Sequence, residues 1–385
     1  MISLSFPPLP TLRPFQLQAY ISLEKHAHTL LVAPTGSGKS LIFQKYLLEH
    51  PSLRTILVSP LNALARQHAQ KLKALGLKVS LGVGNACEGP PSGPGVWIVN
   101  PEKLKAHENL GLKSWGANFL IVDEAHCIWE WGEGFRPEFK NVLTLVNDLK
   151  ISKSFWCTAT LPQEARQEMV QALPQAPYEL GEFTLPANLT LNTERLSFAN
   201  RISRLKQFCD TNASGIVFVN TRLAAEKLSQ YFKLWEIPAL TYHAGMSQEE
   251  RIHLERAIHF HEEAKKRIVV IATSAFGMGM DYPSLRFCIL FEPSFNLLSL
   301  AQAVGRVGRS HFDAQATVFW HEDDLERQAW MTQGSERRAQ ELKKVIEWCK
   351  TQGDQRAFLE NYFMASRPSG TIKSDEYSTR SKSPH

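Results

Sequence analysis

Five short apolar runs dominate the first half of the chain, each too short for a buried helix: Leu30-Leu31-Val32, Thr55-Ile56-Leu57-Val58, Val96-Trp97-Ile98-Val99, Phe119-Leu120-Ile121-Val122 and Phe155-Trp156-Cys157. None alternates apolar with polar residues, so none reads as a strand with one wet face. Strands buried on both faces belong to parallel sheets covered by helices, and the longer helix-like segments between these runs supply the crossovers. The stretch from Leu30 to Leu196 therefore predicts an α/β domain. The pattern fades around Leu185-Pro186-Ala187-Asn188. It restarts with Gly215-Ile216-Val217-Phe218-Val219, Arg267-Ile268-Val269-Val270-Ile271 and Phe287-Cys288-Ile289-Leu290-Phe291, which predict a second α/β domain. A chain of 385 residues has room for two such cores.

On this reading residues 1–187 and 188–333 form tandem parallel-sheet domains. Residues 334–365 are charged, with apolar residues at helical spacing (Leu342, Val345, Ile346, Cys349, then Phe358, Leu359, Tyr362), and predict a small helical hairpin. The Ser/Lys/Arg-rich stretch 366–385 predicts a disordered tail. Between Gly82 and Gly95 a Gly/Pro-rich segment predicts a surface loop joining two strands. No run approaches the roughly 18 apolar residues of a membrane span, and Met1-Ile2-Ser3-Leu4-Ser5-Phe6-Pro7-Pro8 lacks the regions of a secretory signal. Six cysteines stand singly, without the C-x-x-C pairs of a zinc ribbon. A cytoplasmic protein with reduced thiols is expected. Lys and Arg number 43 against 38 Asp and Glu, a net +5 that permits a polyanionic partner without requiring one.

Three segments carry chemistry. Ala33-Pro34-Thr35-Gly36-Ser37-Gly38-Lys39-Ser40 follows an expected strand and precedes the helix-like Leu41-Ile42-Phe43. Thr35 to Gly38 let backbone N–H groups and a helix N-terminus face a phosphate chain. Lys39 supplies a cation to its terminal phosphates and Ser40 a hydroxyl for Mg²⁺. Asp123-Glu124-Ala125-His126 ends an apolar run, at the sheet edge where open α/β folds bind ligands. Asp123 is placed to hold Mg²⁺ and Glu124 to deprotonate a water attacking the γ-phosphate. In isolation two such carboxylates after a strand could merely cap a helix, a reading that falls behind once they are paired with the glycine-rich segment. The third segment, Gln302-Ala303-Val304-Gly305-Arg306-Val307-Gly308-Arg309, puts Arg306 and Arg309 on one face of an expected helix start, able to reach a common anion; a solvated basic face is the alternative.

Together these blocks resemble the superfamily 2 helicases. The run Asp123-Glu124-Ala125-His126-Cys127-Ile128-Trp129-Glu130-Trp131-Gly132-Glu133-Gly134-Phe135-Arg136-Pro137-Glu138-Phe139 resembles, more narrowly, the aromatic-rich loop of the RecQ family of DNA helicases. Leu12-Arg13-Pro14-Phe15-Gln16 is similar to that family's adenine-reading segment, which implies base contacts for Arg13 and Gln16. Ser59-Pro60-Leu61 and Asn100-Pro101-Glu102 look like strand-contacting motifs, and Thr158-Ala159-Thr160 resembles the motif coupling hydrolysis to movement. In the second domain Asn220-Thr221-Arg222, Tyr242-His243-Ala244-Gly245-Met246 and the run from Ala272 to Asp281 follow the family pattern. The resemblance implies a DNA-phosphate role for Thr221, His243 and Thr273 and a nucleotide contact for Asp281.

It further implies two RecA-like domains with Mg²⁺-ATP in the cleft between them. Single-stranded or partly duplex DNA would cross both domains, with 3′ to 5′ movement in DNA repair or recombination. Trp131, Phe135 and Arg136 would contact bases and align Asp123, Glu124 and His126, although aromatics are more often simply buried. Trp97, Trp115, Trp156 and Trp320 are assigned to packing. Departures from the family are Trp129, Glu133 and Gly134 in place of Ser, His and Asp, and Ser310-His311-Phe312 in place of Asp-Gly. The segment from Trp348 to Phe363 resembles the start of the family's zinc-binding helices but keeps only Cys349, with Asp354 where the next cysteine would stand, so zinc is not expected there. A monomer without a winged-helix domain, open to a protein partner for duplex engagement, is the accompanying expectation. Alternatives are a single-strand translocase, a nucleic-acid-binding scaffold, and RNA as substrate.

Overall fold

Each of the five apolar runs forms a strand, and three further strands extend that sheet, two at one edge and one at the other. The computed structural model describes residues 9–84, 86–106, 111–131, 137–211, 213–243, 245–273, 276, 282–310 and 312–364. Contacts divide the chain into one unit of Met1–Thr184 with Tyr362–His385 and a second of Leu185–Asn361. Phe135, Arg136, Asp281, the side chain of Trp131 and the tail from 365 lie outside the described residues.

The first unit is built on β1 (His28–Val32), β2 (Arg54–Val58), β3 (Val79–Val83), β4 (Ala86–Cys87), β5 (Gly95–Val99), β6 (Phe119–Asp123), β7 (Lys153–Thr158) and β8 (Tyr178–Leu180). They are ordered β4-β3-β5-β2-β6-β7-β1-β8. Every pairing is parallel except β3 with β4. β1 and β6 are buried along their whole length, which is what their lack of polar alternation demanded. Trp97 and Trp156 are fully buried and Trp320 nearly so, whereas Trp115 is half-buried. The Gly/Pro-rich segment is tied down: the Trp97 indole donates to the Glu88 carbonyl (2.8 Å) and that of Trp115 to the Gly93 carbonyl (3.0 Å).

The second unit holds β9 (Leu189–Arg195), β10 (Gly215–Phe218), β11 (Ala239–Tyr242), β12 (Val269–Ala272), β13 (Phe287–Leu290) and β14 (Ala314–Trp320), ordered β11-β12-β10-β13-β14-β9 and all parallel. Its core gathers Leu205, Phe208, Val217, Phe232, Ile271, Ile289 and Phe319. Helices Glu336–Lys350 and Gln355–Phe363 form the C-terminal pair. Cys349 packs into it at 2% exposure, and Asp354 caps the second helix, its Oδ1 accepting from the backbone of Arg356 (2.8 Å) and Ala357 (3.1 Å). From that helix Arg356 donates to the carbonyls of Leu185 and Leu189 (3.1 and 3.0 Å) and also of Pro186, fixing the segment where the sequence pattern faded.

One buried cation organises the second unit. Arg201, 2% exposed, donates to the carbonyls of Leu196 and Phe291 (both 3.0 Å) and pairs with the buried Asp324. Replacing it with an apolar side chain would leave a carboxylate and two carbonyls short of donors, so Arg201→Met should destabilise this unit by about 3–5 kcal/mol. Urea unfolding followed by tryptophan fluorescence measures that loss.

Candidate nucleotide site and nucleic-acid edge

In the first sheet β6, β7 and β1 are neighbours, so the segments leaving their C-terminal ends lie side by side. Two backbone bonds stitch them together: Ala33 donates to the Thr158 carbonyl (2.9 Å) and Ala125 to that of Cys157 (3.1 Å). The turn after β1 depends on glycine. Gly36 and Gly38 have φ of 77° and 82°, and a Cβ on Gly38 would stand 2.7 Å from the Gln16 amide nitrogen. Gly38 is the N-cap of helix Lys39–Glu49.

Gln16 is buried and fully engaged. Its Oε1 accepts from the Arg13 backbone (2.8 Å), and its Nε2 donates to the carbonyls of Ser37 and Gly38 (both 3.1 Å). The side chain expected to read a base thus braces the turn that follows β1. Lys39 Nζ donates to the carbonyls of Ala33 and Pro34 (3.0 and 3.2 Å), within the same turn. Thr35 and Ser40 are half-buried, and the Ser37 hydroxyl is buried without a hydrogen-bond partner among the described residues. A helix N-terminus, left-handed glycines, an ammonium and an orphaned hydroxyl together fit a phosphate chain.

Asp123 closes β6 with its carboxylate held from three sides. His68 Nε2 lies 2.8 Å from Oδ2, while the Cys157 thiol (3.2 Å) and the Glu124 backbone N–H (3.0 Å) donate to Oδ1. Burial, with the neighbouring carboxylate next, pushes the Cys157 thiol well up, so it stays protonated and remains a donor. A carboxylate held this way and a serine hydroxyl, that of Ser40 in the first turn of helix Lys39–Glu49, are donor types Mg²⁺ takes from protein while keeping waters and phosphate oxygens. Glu124 adopts φ 51°, a left-handed conformation unusual for its residue type.

His126 joins the two strand ends. Its Nδ1 lies 2.9 Å from the Thr158 hydroxyl and 3.3 Å from Glu124 Oε2. The Thr158 hydroxyl gives its one hydrogen to the Thr160 carbonyl (2.9 Å), so it can only accept from His126. Nδ1 therefore carries the ring hydrogen. His68 is the site residue sequence reasoning missed: it sits on the buried face of helix Asn62–Ala74 with Leu64, Ala65 and Leu72, the pattern of a packed core histidine. Trp129, one of the departures noted above, is 5% exposed and donates to Glu168 (2.8 Å), a packing role.

The second sheet repeats the arrangement. β11, β12 and β10 are neighbours, and His243, Thr273 and Thr221 follow their C-terminal ends. Thr221 caps helix Arg222–Leu234, accepting from the Ala224 backbone (3.1 Å), and His243 Nδ1 is buried without a hydrogen-bond partner among the described residues. The arginine pair departs from expectation. Helix Leu297–Val304 stops at Gly305, so Arg306 and Arg309 follow a helix end rather than open a helix start. Gly308, with φ 78°, sits where a Cβ would come within 3.0 Å of Pro186, and Arg309 Nε returns to the Gly305 carbonyl (3.2 Å).

Residues 13–169 match the DEAD/DEAH box helicase model and residues 200–311 the helicase conserved C-terminal domain. ATP-dependent DNA helicase RecQ of Pasteurella multocida is 29% identical, over 87% of this chain and 55% of the relative. Its Bacillus subtilis counterpart is 26% identical, over 90% and 61%. A probable ATP-dependent DNA helicase RecS of Bacillus subtilis is 30% identical over 83% and 66%. The chain thus spans little more than half the length of the RecQ relatives it matches. Among solved structures, Saccharomyces cerevisiae Dbp5 bound to RNA and ADP BeF3 shares the fold with a TM-score of 0.65 at 20% identity, covering 87% of this chain and 93% of that one.

The tautomer argument is open to direct measurement. Nitrogen-15 NMR of the histidine side chains should show His126 with its hydrogen on Nδ1. Thr158→Val should shift that ring away from the Nδ1–H form, whereas an unchanged signal would assign the selection to Glu124 instead.

Proposed function

The chain belongs to the RecQ family of superfamily 2 helicases, and from that premise we propose that it is an ATP-dependent DNA helicase. On this reading it moves along single-stranded DNA, 3′ to 5′, and separates duplex in repair or recombination. The observation that carries the proposal is the convergence of Lys39, Asp123, Glu124 and His126 on one sheet edge, with Asp123 held by three donors.

The proposed chemistry assigns each group a task. The turn from Thr35 to Gly38 and the Lys39 ammonium cradle the phosphates of ATP, while Arg13 and Gln16 flank the base side of that turn. Ser40 and Asp123 would hold Mg²⁺, which when bound neutralises phosphate charge. Glu124 takes a proton from the attacking water, and His126 Nδ1–H keeps that carboxylate oriented through a contact of 3.3 Å. Arg306 and Arg309 supply positive charge to the γ-phosphoryl group as it transfers, an effect worth about 10³–10⁵ in rate where an arginine finger acts. Thr221, His243 and Thr273 contact DNA phosphates, and Asp281 contacts the nucleotide. Trp131, Phe135 and Arg136 meet bases, so that occupancy by DNA reaches Asp123 and Glu124 through the short helix Cys127–Trp131. Salt sensitivity of DNA binding follows from the phosphate contacts.

We place the protein in the cytoplasm, on the nucleoid if it is bacterial, as a monomer that recruits a protein partner for duplex. Among the described residues no helix is long and apolar enough to cross a membrane.

Steady-state hydrolysis of Mg²⁺-ATP, with and without single-stranded DNA, tests the reading. DNA should stimulate the wild type strongly. Lys39→Ala should lose about 10²-fold or more in kcat, and Trp131→Ala should keep basal hydrolysis while losing the stimulation. His68→Ala should raise the Mg²⁺ concentration needed for half-maximal rate by about 10–100-fold, as loss of a group orienting a metal ligand does, with His68→Gln recovering part of it. Strand release from a tailed duplex separates unwinding from translocation alone. Hydrolysis indifferent to DNA would refute the role given to Trp131.

A further inference from the structure

The side of His126 turned away from Glu124 carries a second constellation. With Nδ1 protonated and directed at Thr158, the Nε2 lone pair points the other way. Cys127 Sγ lies 3.3 Å from that nitrogen and Glu130 Oε2 3.8 Å from it. The Glu130 backbone N–H donates to the His126 carbonyl (3.1 Å), so one helical turn stacks the imidazole and the carboxylate on the same face. The three ligand atoms lie within 4.8 Å of one another. Tetrahedral Zn²⁺ with one sulfur and two lighter ligands sets its donor atoms about 3.3–3.6 Å apart, a spacing that small side-chain rotations would reach. His126 and Cys127 are almost wholly buried, and the Glu130 side chain is 8% exposed.

We propose that His126, Cys127 and Glu130 bind one soft divalent cation, of the Zn²⁺ class, and that its occupancy arrests ATP hydrolysis. Thiolate with imidazole selects Zn²⁺, or Co²⁺ as its spectroscopic substitute, over Mg²⁺, which prefers oxygen. The carboxylate and hydroxyl on Nδ1 supply the outer support that metal-bound histidines characteristically have. Binding displaces the thiol proton to solvent. A ring ligated through Nε2 becomes a stronger Nδ1–H donor, which holds Glu124 onto His126 and away from its water. The binding stands independently of the proposed function; the arrest rests on it.

Titration of the metal-free full chain with Co²⁺ alone tests the site. One equivalent should give a thiolate-to-cobalt charge-transfer band, bleached by one equivalent of Zn²⁺ and absent from Cys127→Ser. No band, or a band that persists in Cys127→Ser, overturns the site. With Mg²⁺-ATP in excess, Zn²⁺ should inhibit hydrolysis by the wild type, and Cys127→Ser should keep its basal rate while needing at least tenfold more Zn²⁺ for the same inhibition. Equal inhibition of both proteins overturns the arrest. A chain that hydrolyses no ATP but shows the Cys127-dependent band would refute the helicase reading and leave the cation site standing.

Discussion

The Asp123 carboxylate is the point on which the first unit's chemistry depends. It ends a strand buried over its whole length, where an anion would be costly without donors. Three elements meet that cost: His68 from the helix after β2, Cys157 from β7, and the backbone of Glu124. Those donors also restrict how the carboxylate can turn, and a metal ligand gains from being held in one orientation before the metal arrives. The same packing reaches the glycine turn after β1, because the His68 ring meets Phe43 edge-on, at 5.5 Å, in the helix that Lys39 opens. A shift of either group is therefore felt by the other.

Adjacent strand ends explain how Glu124 can sit in a left-handed conformation. A backbone of this kind costs of order 1–3 kcal/mol and persists only when its surroundings over-determine it. Here the Glu124 N–H is fixed on Asp123, the next N–H on the Cys157 carbonyl, and the side chain beside His126, itself held by Thr158. Three residues from two strands, with His126 from the turn that follows the first, thus dictate where the carboxylate points. His126 is the joint between them, which is why both its nitrogens matter: one faces the Glu124 carboxylate, the other the Cys127 and Glu130 side chains.

What was legible in the sequence follows from burial and from chain distance. Strands such as Phe119 to Val122 are covered on both faces and so leave an uninterrupted apolar signature. β9, Leu-Thr-Leu-Asn-Thr-Glu-Arg, lies at the sheet edge with most of its length only half-buried, and its polar residues hide it from that criterion. Turns that bind phosphate are legible because their donors are consecutive. His68 and Cys157 act on Asp123 across 55 and 34 residues, and each reads locally as core. The arginine pair follows a helix end for a local reason: the helix stops at Gly305, its C-cap, before either arginine is reached.

The C-terminal helices show how residues that resemble a degenerate metal site acquire another structural use. Where the resemblance would place zinc ligands, Cys349 lies in an apolar core with Trp348 and Asp354 serves as a helix cap. The helix so capped carries Arg356, whose guanidinium collects the carbonyls of Leu185, Pro186 and Leu189. Pro186 in turn packs against Gly308, between Arg306 and Arg309, where a Cβ would come within 3.0 Å of it. The path from Asp354 to Arg309 is therefore continuous and made of close contacts. The hairpin thus bears on where Arg306 and Arg309 emerge, because the left-handed Gly308 between them lies so near Pro186.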